Sequence, residues 1–203
     1  MTRGAIILCG GQSRRMGQAK ATLPFGPETM LQRVVRLVGQ AADKLVVVAA
    51  ADQQLPPLPN TVRIAHDQHP DRGPLEGITA GLRVLSGEVE VAYVTSCDVP
   101  LLVPAFVERM FALLGNYDAA VPCVEERLHP LAGVYRTSVL ATVEQQLVAD
   151  QRRVTDLLTR LDTRQVAATE FADVDADCRS LQNINQPAEY RAALVVAGFG
   201  TPR

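Results

Sequence analysis

The segment AIILCGGQSRRMGQAK (residues 5–20) passes from a short apolar run into two glycines and then into a cationic loop. A run rich in Ile and Leu fits a strand that is buried on both faces, as in parallel sheets. Gly10 and Gly11 carry no β-carbon, so their backbone can take positive φ and bring amide groups close to a ligand. The segment therefore predicts a buried strand that ends in a ligand-binding loop.

The second half of that loop favours an anionic ligand. Ser13 adds a hydroxyl group, and Arg15 and Lys20 add positive charge, so that together they suit a polyphosphate. The spacing matches neither the Walker A motif, G-x-x-x-x-G-K-[ST], nor the dinucleotide motif, G-x-G-x-x-G. The alternative interpretation is a glycine turn followed by solvated arginines.

Apolar runs of strand length recur along the chain, and segments with helical periodicity lie between them. Continuous apolar strands that alternate with helices predict an α/β fold, with a mostly parallel, Rossmann-like sheet covered by helices on both faces. The 203 residues show no internal repeat and no linker, which predicts one domain. The predicted strands are 5–8, 45–50, 61–65, 89–96, 118–124, 131–136 and 164–168, and the predicted helices are 28–42, 75–86, 104–115, 137–150, 154–161 and 187–196.

Composition excludes some classes of function. A formal net charge of -2 and an aromatic content of 4% disfavour a DNA- or RNA-binding role. No C-x-x-C spacing occurs, which argues against a zinc or redox site and favours buried free thiols in a reducing compartment. No segment resembles a signal peptide or a membrane span, so we expect a cytoplasmic protein that does not enter a membrane. The four cysteines are Cys9, Cys97, Cys123 and Cys178.

In open α/β sheets, ligands bind outside the carboxyl ends of the strands. Asp67 follows the predicted strand 61–65, and Gly73 and Pro74 then open a helix whose N-terminus favours anions. Asp67 could accept hydrogen bonds from a ribose or a base, although a turn residue at this position is the alternative. His66 and His69 are interpreted as surface or turn residues rather than metal ligands.

Asp98 closes a strongly apolar predicted strand, 89–96, and Pro100 follows it. Its carboxylate is expected to point into the same crevice as the opening loop. Mg²⁺ binds carboxylate and phosphate oxygens and keeps several waters, so one aspartate together with phosphates can hold it. The alternative is that Asp98 caps the turn before helix 104–115.

These segments together resemble the MobA-like nucleotidyltransferases, the family of the molybdenum cofactor guanylyltransferases. The resemblance rests on five segments in the family's order and spans essentially the whole chain. They are G-G-x-S-x-R-M-G-x-x-K at 10–20, D-x(5)-G-P-L-x-G at 67–77, C-D-V-P at 97–100, H-P-L-A-G-V-Y at 129–135 and N-I-N-Q-P-A-E-Y at 183–190.

The resemblance implies the nucleotide-diphospho-sugar transferase type of sheet and transfer of GMP from GTP to the terminal phosphate of molybdopterin, with release of pyrophosphate. It implies a nucleotide-binding part at about 1–115 and a pterin-acceptor part at about 116–203. Cofactor-biosynthesis proteins or molybdoenzyme chaperones are implied partners. Nucleotide-binding positions are implied at Leu8, Cys9, Gly10, Gly11, Ser13, Lys20, Asp67 and Asp98; catalytic roles fall on Lys20, Arg15 and Asp98, and the Mg²⁺ ligand is Asp98.

On the acceptor side, the resemblance implies pterin contacts at Asn183 and Asn185, with His129 as a further candidate. Arg153 could hold the pterin phosphate at the start of a helix, or could simply be a solvent-facing charge. For the two asparagines, a turn before Pro187 and a place in the metal shell are the alternatives.

Two departures from the family pattern affect the opening loop. Cys9 replaces a common alanine, and Ala19 replaces a common aspartate before Lys20. Gly11 after Gly10 favours GTP, because cytidylyltransferase relatives tend to carry L-A-A-G there. A cytidylyltransferase, a related transferase with another phosphate acceptor, and a non-catalytic nucleotide-binding protein are the competing interpretations.

Overall fold

The computed structural model describes residues 2–10, 19–67 and 73–200. These residues form one eight-stranded sheet with helices and a separate two-stranded sheet. The strands of the main sheet are β1 (Arg3–Leu8), β4 (Lys44–Ala49), β5 (Val62–His66), β6 (Val91–Ser96), β7 (Ala119–Val124), β8 (Arg127–Leu128), β9 (Val134–Arg136) and β10 (Thr163–Ala167); β2 (Pro24–Phe25) and β3 (Glu28–Thr29) form the small one. The α-helices are α1 (Met30–Val38), α2 (Pro74–Leu85), α3 (Pro104–Leu113), α4 (Leu140–Val148), α5 (Val154–Leu158) and α6 (Pro187–Val196).

The strand order in the main sheet is β10-β7-β9-β6-β1-β4-β5, with β8 paired to β7. All pairs are parallel except those made by β8 and β9. The predicted mostly parallel α/β sheet is therefore confirmed. Because β1 lies between β6 and β4, the loop after β1 begins at the centre of the edge where the parallel strands end.

Both faces of the sheet are buried, as the continuous apolar strands predict. Along β1, Ile7 contributes to one apolar cluster and Ile6 to the other, as expected from the alternation of side chains in a strand. The cluster around Ile7 includes residues of α1 and α3, whereas the cluster around Ile6 includes residues of α2, α4 and α5. This double covering explains why the central strands β1, β4 and β6 are mostly apolar.

Helix α2 packs closely on β1. A β-carbon at Gly81 would lie 2.5 Å from the side chain of Ile6, and one at Gly77 would lie 3.0 Å from that of Leu8. Gly73, with φ of 88°, precedes Pro74 and turns the chain into the helix, as predicted from the Gly-Pro pair. The N-terminus of α2 is thereby held at the carboxyl edge, beside the loop that follows β1.

Several predicted boundaries differ from the structure, and two of the differences have a clear local cause. Helix 28–42 begins later than predicted, because residues 28–29 pair with residues 24–25 and a capping box between Thr29 and Gln32 starts the helix at Met30. The predicted strand 131–136 contains only β9, which runs antiparallel to β6 and β7, and a 3₁₀ turn precedes it. Local hydrophobic periodicity did not reveal either the hairpin or the reversed strand.

A small third apolar cluster joins the C-terminal helix to the segment that follows Lys20. Ile184 and Ala193 pack there with Leu23, Phe25 and Met30. Because these residues come from both ends of the chain, the cluster brings α6 next to the segment that follows Lys20.

The hairpin between β7 and β8 has a strained two-residue turn. Glu125 and Glu126 have φ of 48° and 61°, values that glycine and asparagine adopt more easily than glutamate. We expect the double substitution Glu125→Asn and Glu126→Gly to raise the free energy of unfolding by about 1 kcal/mol, which corresponds to roughly 2–4 °C in Tm. Thermal unfolding checks this result. The double glutamine variant removes the charges and keeps the strain, so an equal gain in that variant would contradict the backbone explanation.

In the part of the chain that the structure describes, no helix is both long enough and apolar enough to cross a membrane.

Candidate active site

The loop after β1 and the residue after β6 lie side by side at the carboxyl edge. Strand pairing continues one residue beyond both strands, since the amide of Cys97 donates to the carbonyl of Leu8 at 2.9 Å. The amide of Cys9 likewise donates to the carbonyl of Val48 at 2.8 Å. The backbone therefore holds Gly10, where the loop begins, next to Asp98.

Lys20 and Asp98 form an ion pair at this edge. Lys20 Nζ lies 2.7 Å from Asp98 Oδ2, and the two side chains are only 17% and 13% exposed. The residues are 78 positions apart in the chain, and the sheet brings them together. The structure thus places two of the three predicted catalytic residues in direct contact.

The other carboxylate oxygen of Asp98 is held by neutral donors. Asp98 Oδ1 accepts hydrogen bonds from the hydroxyl of Ser96 and, at 2.8 Å, from Asn183 Nδ2. The backbone carbonyl of Asp98 also accepts from the amide of Ile184 at 2.8 Å. These bonds fix the orientation of the carboxylate, with Oδ2 turned towards Lys20.

Asn185 also contacts the lysine. Its Oδ1 accepts a hydrogen bond from Lys20 Nζ at 2.6 Å, so the ammonium group lies between an amide oxygen and a carboxylate oxygen. Sequence reasoning assigned Asn183 and Asn185 to the acceptor or to the metal shell, and both roles stay predictions. The direct contacts of Asn183 with Asp98 and of Asn185 with Lys20 are what it did not predict.

This group of side chains is suited to a cation bound with phosphates. The short contacts of Lys20 Nζ show that two oxygens converge on a position where positive charge is favourable. Among the described residues, no three His, Cys, Asp or Glu side chains come together as a metal site. A divalent cation on Asp98 would therefore take most of its ligands from water and phosphate, which is the coordination that Mg²⁺ prefers.

Asp67 lies at the same edge, on the far side of the loop. It follows β5, and its amide donates to the carbonyl of Ala49 at 3.1 Å. Three strand spacings separate it from Asp98, a distance of about 14 Å. The arrangement leaves the mouth of the loop between the two aspartates, as expected if a nucleotide extends along the edge.

Gln53 is a loop contact that sequence reasoning missed. Its Nε2 donates to the carbonyl of Cys9 at 3.1 Å, and its Oε1 accepts from the amide of Ala50. The side chain thus ties the start of the nucleotide loop to the segment after β4. No sequence pattern marks this residue, because the contact depends on how the two loops meet.

Cys9 and Cys97 are buried on the same face of the sheet, and all four cysteines are free. Contact with the Cys97 thiol and burial raise the pKa of Cys9 well above its ordinary value, so this thiol stays protonated at neutral pH. A small, neutral side chain is therefore compatible with the position before Gly10. Cys123 and Cys178 are only half-buried, so the expectation of buried thiols holds for two of the four.

The predicted acceptor residues Arg153 and His129 lie in the second half of the chain. Arg153 is exposed and precedes α5, and its carbonyl accepts from Nε2 of the buried Gln146 at 2.9 Å. His129 is half-buried; burial, and then the charge of Arg127, lower its pKa, which keeps the imidazole neutral at pH 7. The predicted site residues Gly11, Ser13 and Arg15, and His69, lie outside the described residues.

Comparison with known proteins identifies the fold and the chemistry. Residues 5–166 match the family described as MobA-like NTP transferase domain. The chain is 33% identical over 195 residues to a probable molybdenum cofactor guanylyltransferase of Carboxydothermus hydrogenoformans, with 94% of each protein covered. It is 35% identical over 193 residues to a protein of the same description from Mycobacterium tuberculosis, with 93% of this chain and 92% of the relative covered.

Solved structures share the architecture. Molybdopterin-guanine dinucleotide biosynthesis protein A from Archaeoglobus fulgidus superposes with a TM-score of 0.79 at 21% identity, covering 97% of this chain and 99% of the other. The 4-diphosphocytidyl-2C-methyl-D-erythritol synthase of Anaerococcus prevotii superposes with a TM-score of 0.73 at 12% identity, covering 97% and 96%. At these identities the similarity shows the fold.

Proposed function

This chain belongs to the MobA-like NTP transferase family, and we propose that it transfers GMP from GTP to the terminal phosphate of molybdopterin. Its class is that of a nucleotidyltransferase acting in molybdenum cofactor biosynthesis, as the curated relatives indicate. The proposal concerns the two substrates, GTP and molybdopterin, and the product, molybdopterin guanine dinucleotide. Partner proteins and a cytoplasmic location stay predictions.

The observation that carries the proposal is the contact of Lys20 with Asp98 and Asn185 at the mouth of the glycine loop. A cation and a carboxylate that meet beside a phosphate-binding loop are the groups that nucleotidyl transfer requires. The glycines after β1 leave room for backbone contacts to the phosphates. Asp67 lies where the ribose or the base of the same nucleotide would extend.

The chemistry needs no general base, because the acceptor phosphate is already anionic. One of its oxygens bonds to the α-phosphorus of GTP, the bond from that phosphorus to the bridging oxygen breaks, and pyrophosphate leaves with the electron pair. In this proposal Lys20 binds the phosphates and neutralises the charge that builds up on the leaving group. Ser96 and Asn183 keep the carboxylate of Asp98 in one orientation.

Asp98 is the residue that would hold Mg²⁺, with Lys20 moving from its carboxylate to the phosphates. When bound, the ion supplies positive charge to the phosphate oxygens. The position of the ammonium group supports this assignment, since it marks where Asp98 and Asn185 already stabilise a cation.

Two features support the choice of GTP and of the pterin acceptor. The G-G pair at Gly10 and Gly11 follows the guanylyltransferase pattern, and the curated relatives are described as guanylyltransferases. Near the acceptor half, the segment that carries Arg152 approaches the N-terminus of α2, since a β-carbon at Gly73 would lie 3.8 Å from the carbonyl of Arg152. The guanidinium of Arg152 is paired with Asp150 at 2.7 Å, so the helix N-terminus itself is the feature that suits a second phosphate group.

The test is transfer of α-phosphate label from GTP or CTP to molybdopterin, with Mg²⁺ and with EDTA. We expect label transfer from GTP alone, and only with Mg²⁺. Transfer from CTP would keep the mechanism and overturn the choice of base. Transfer from neither would overturn the proposed acceptor and favour another phosphate acceptor or a non-catalytic nucleotide-binding role.

A further inference from the structure

Three consecutive residues of the C-terminal segment contact the candidate active site. Asn183 donates to the carboxylate of Asp98, the amide of Ile184 donates to the carbonyl of Asp98, and Asn185 accepts from Lys20. We call residues 183–185 the C-terminal strap. The first two residues are attached to Asp98 itself, whereas Asn185 reaches across to the lysine.

The backbone of Asn185 is held by a glutamate one helical turn away. Glu189 Oε2 accepts from the amide of Asn185 at 2.6 Å and from the amide of Gln186 at 3.0 Å. The bond to Gln186 is the usual capping-box bond, in which a side chain in the first turn of a helix accepts from the backbone amide of the residue that precedes the helix. The shorter bond, to Asn185, goes beyond what capping of α6 requires and fixes the strap.

We propose that Glu189 is a positioning residue for nucleotidyl transfer, acting through Asn185 to hold Lys20 where it meets the nucleotide phosphates. The inference rests on the proposed function for the role of Lys20, but the chain of contacts is independent of which nucleotide binds. Glu189 itself touches neither Lys20 nor Asp98 in these bonds, so it acts only through the asparagine.

The helix does not depend on this glutamate for its place in the fold. Ile184 and Ala193 are buried in the third apolar cluster, and the ring of Tyr190 contacts that of Phe25 with centroids 6.2 Å apart. These apolar contacts should hold α6 when the carboxylate is removed. Removal of Glu189 is therefore expected to release Asn185 while the helix stays docked.

The expected effect is on the lysine and on nucleotide affinity. Displacement of a binding group by about 1 Å can cost up to roughly 100-fold, and we expect Glu189→Ala to raise the Kd of a fluorescent GTP analogue by about 10-fold. Glu189→Gln should restore near-normal affinity, because its amide oxygen can accept both backbone bonds. In an Asn185→Ala background, Glu189→Ala should change the Kd by less than about twofold, since the contact through which it acts is already lost.

A matched control exists at the first turn of α1. Gln32 occupies the same helical position as Glu189; its Oε1 accepts from the amide of Thr29 at 2.9 Å and its Nε2 donates to the carbonyl of Pro57, so neither bond involves Lys20, Asp98 or the strap. We expect Gln32→Ala to lower Tm without changing the Kd. If Gln32→Ala weakened binding as much as Glu189→Ala, or if the losses in the Asn185 background were additive, the positioning role would be wrong.

A second measurement needs no ligand, because Lys20 and Lys44 are the chain's two lysines. Lys44 is exposed at the start of β4 and serves as an internal standard for amine labelling read by peptide mass spectrometry. Glu189→Ala should raise the labelling of Lys20 relative to Lys44 severalfold, and Gln32→Ala should leave the ratio unchanged. An unchanged ratio in Glu189→Ala would overturn the inference. If Glu189→Ala raised the labelling ratio but the wild-type protein transferred no GMP, the positioning role of Glu189 would stand and the proposed reaction would be wrong.

Discussion

Replacing Asp98 with alanine is expected to abolish nucleotidyl transfer, lowering kcat by about 1,000-fold or more, with the fold intact. The carboxylate is the group that would hold the metal ion, and it also holds Lys20 at 2.7 Å in the ligand-free protein. Its side chain is half-buried at the end of β6 rather than in the apolar core, so truncation removes no core packing. Label transfer measures the loss, and binding of Mn²⁺ by electron paramagnetic resonance measures the metal site separately.

Two control variants test whether the loss of activity in Asp98→Ala comes from the carboxylate charge at this position. Asp98→Asn keeps a polar side chain of the same size and removes the charge, so it should lose metal binding and nearly all turnover. Asp43→Ala removes an exposed carboxylate from the opposite edge of the sheet, where it accepts from the amide of Arg3, and should keep full activity. Normal turnover in Asp98→Ala would exclude the proposed metal role.

Replacing Lys20 with alanine is expected to lower kcat/KM by about 100-fold. The ammonium group is held between Asp98 and Asn185 at the mouth of the loop, and no second lysine lies at this edge in the described ranges. Lys20→Arg should recover only part of the activity, because a planar guanidinium does not fit a position shaped for a compact ammonium group. Steady-state kinetics with labelled GTP provides the measurement.

The control for this prediction is Lys44→Ala, which removes the chain's other lysine from the amino edge of the sheet. It should leave kcat/KM unchanged. Loss of Lys20 also leaves Asp98 without its cationic partner, so we expect Mn²⁺ to bind the ligand-free Lys20→Ala variant more tightly than the wild-type protein. Equal kcat/KM in the two alanine variants would show that Lys20 takes no part in the reaction.

Much of the fold and the core of the candidate site could be predicted because their signals are local. Apolar runs of strand length, separated by helical periods, are enough to indicate a parallel sheet covered on both faces. The rule that ligands bind at the carboxyl ends of such strands then selects Lys20, Asp67 and Asp98 without any knowledge of their contacts. The ion pair between Lys20 and Asp98 agrees with that selection.

The parts that could not be predicted depend on pairs of residues far apart in the chain. Asn185 is 165 positions from the lysine it contacts, and Gln53 is 44 positions from the carbonyl it binds. Neither residue carries a sequence pattern of its own for these contacts. The hairpin of residues 24–29 was missed for a similar reason. Its apolar residue, Phe25, packs against Ile184 and Ala193 from the far end of the chain, so the local sequence gives no sign of what buries it.

The sequence by itself determined that this protein is an α/β nucleotidyltransferase with a glycine loop after its first strand and an aspartate after β6. Those features follow from hydrophobic periodicity, from glycine's backbone freedom and from a family pattern spread along the chain. Only the tertiary structure decided that the C-terminal strap contacts Lys20 and Asp98, with Glu189 bonded to the amide of Asn185 and the side chain of Asn185 bonded to Lys20. The physical reason is that the third apolar cluster docks α6 beside the loop, and hydrogen-bond partners are selected by that packing rather than by their separation in sequence.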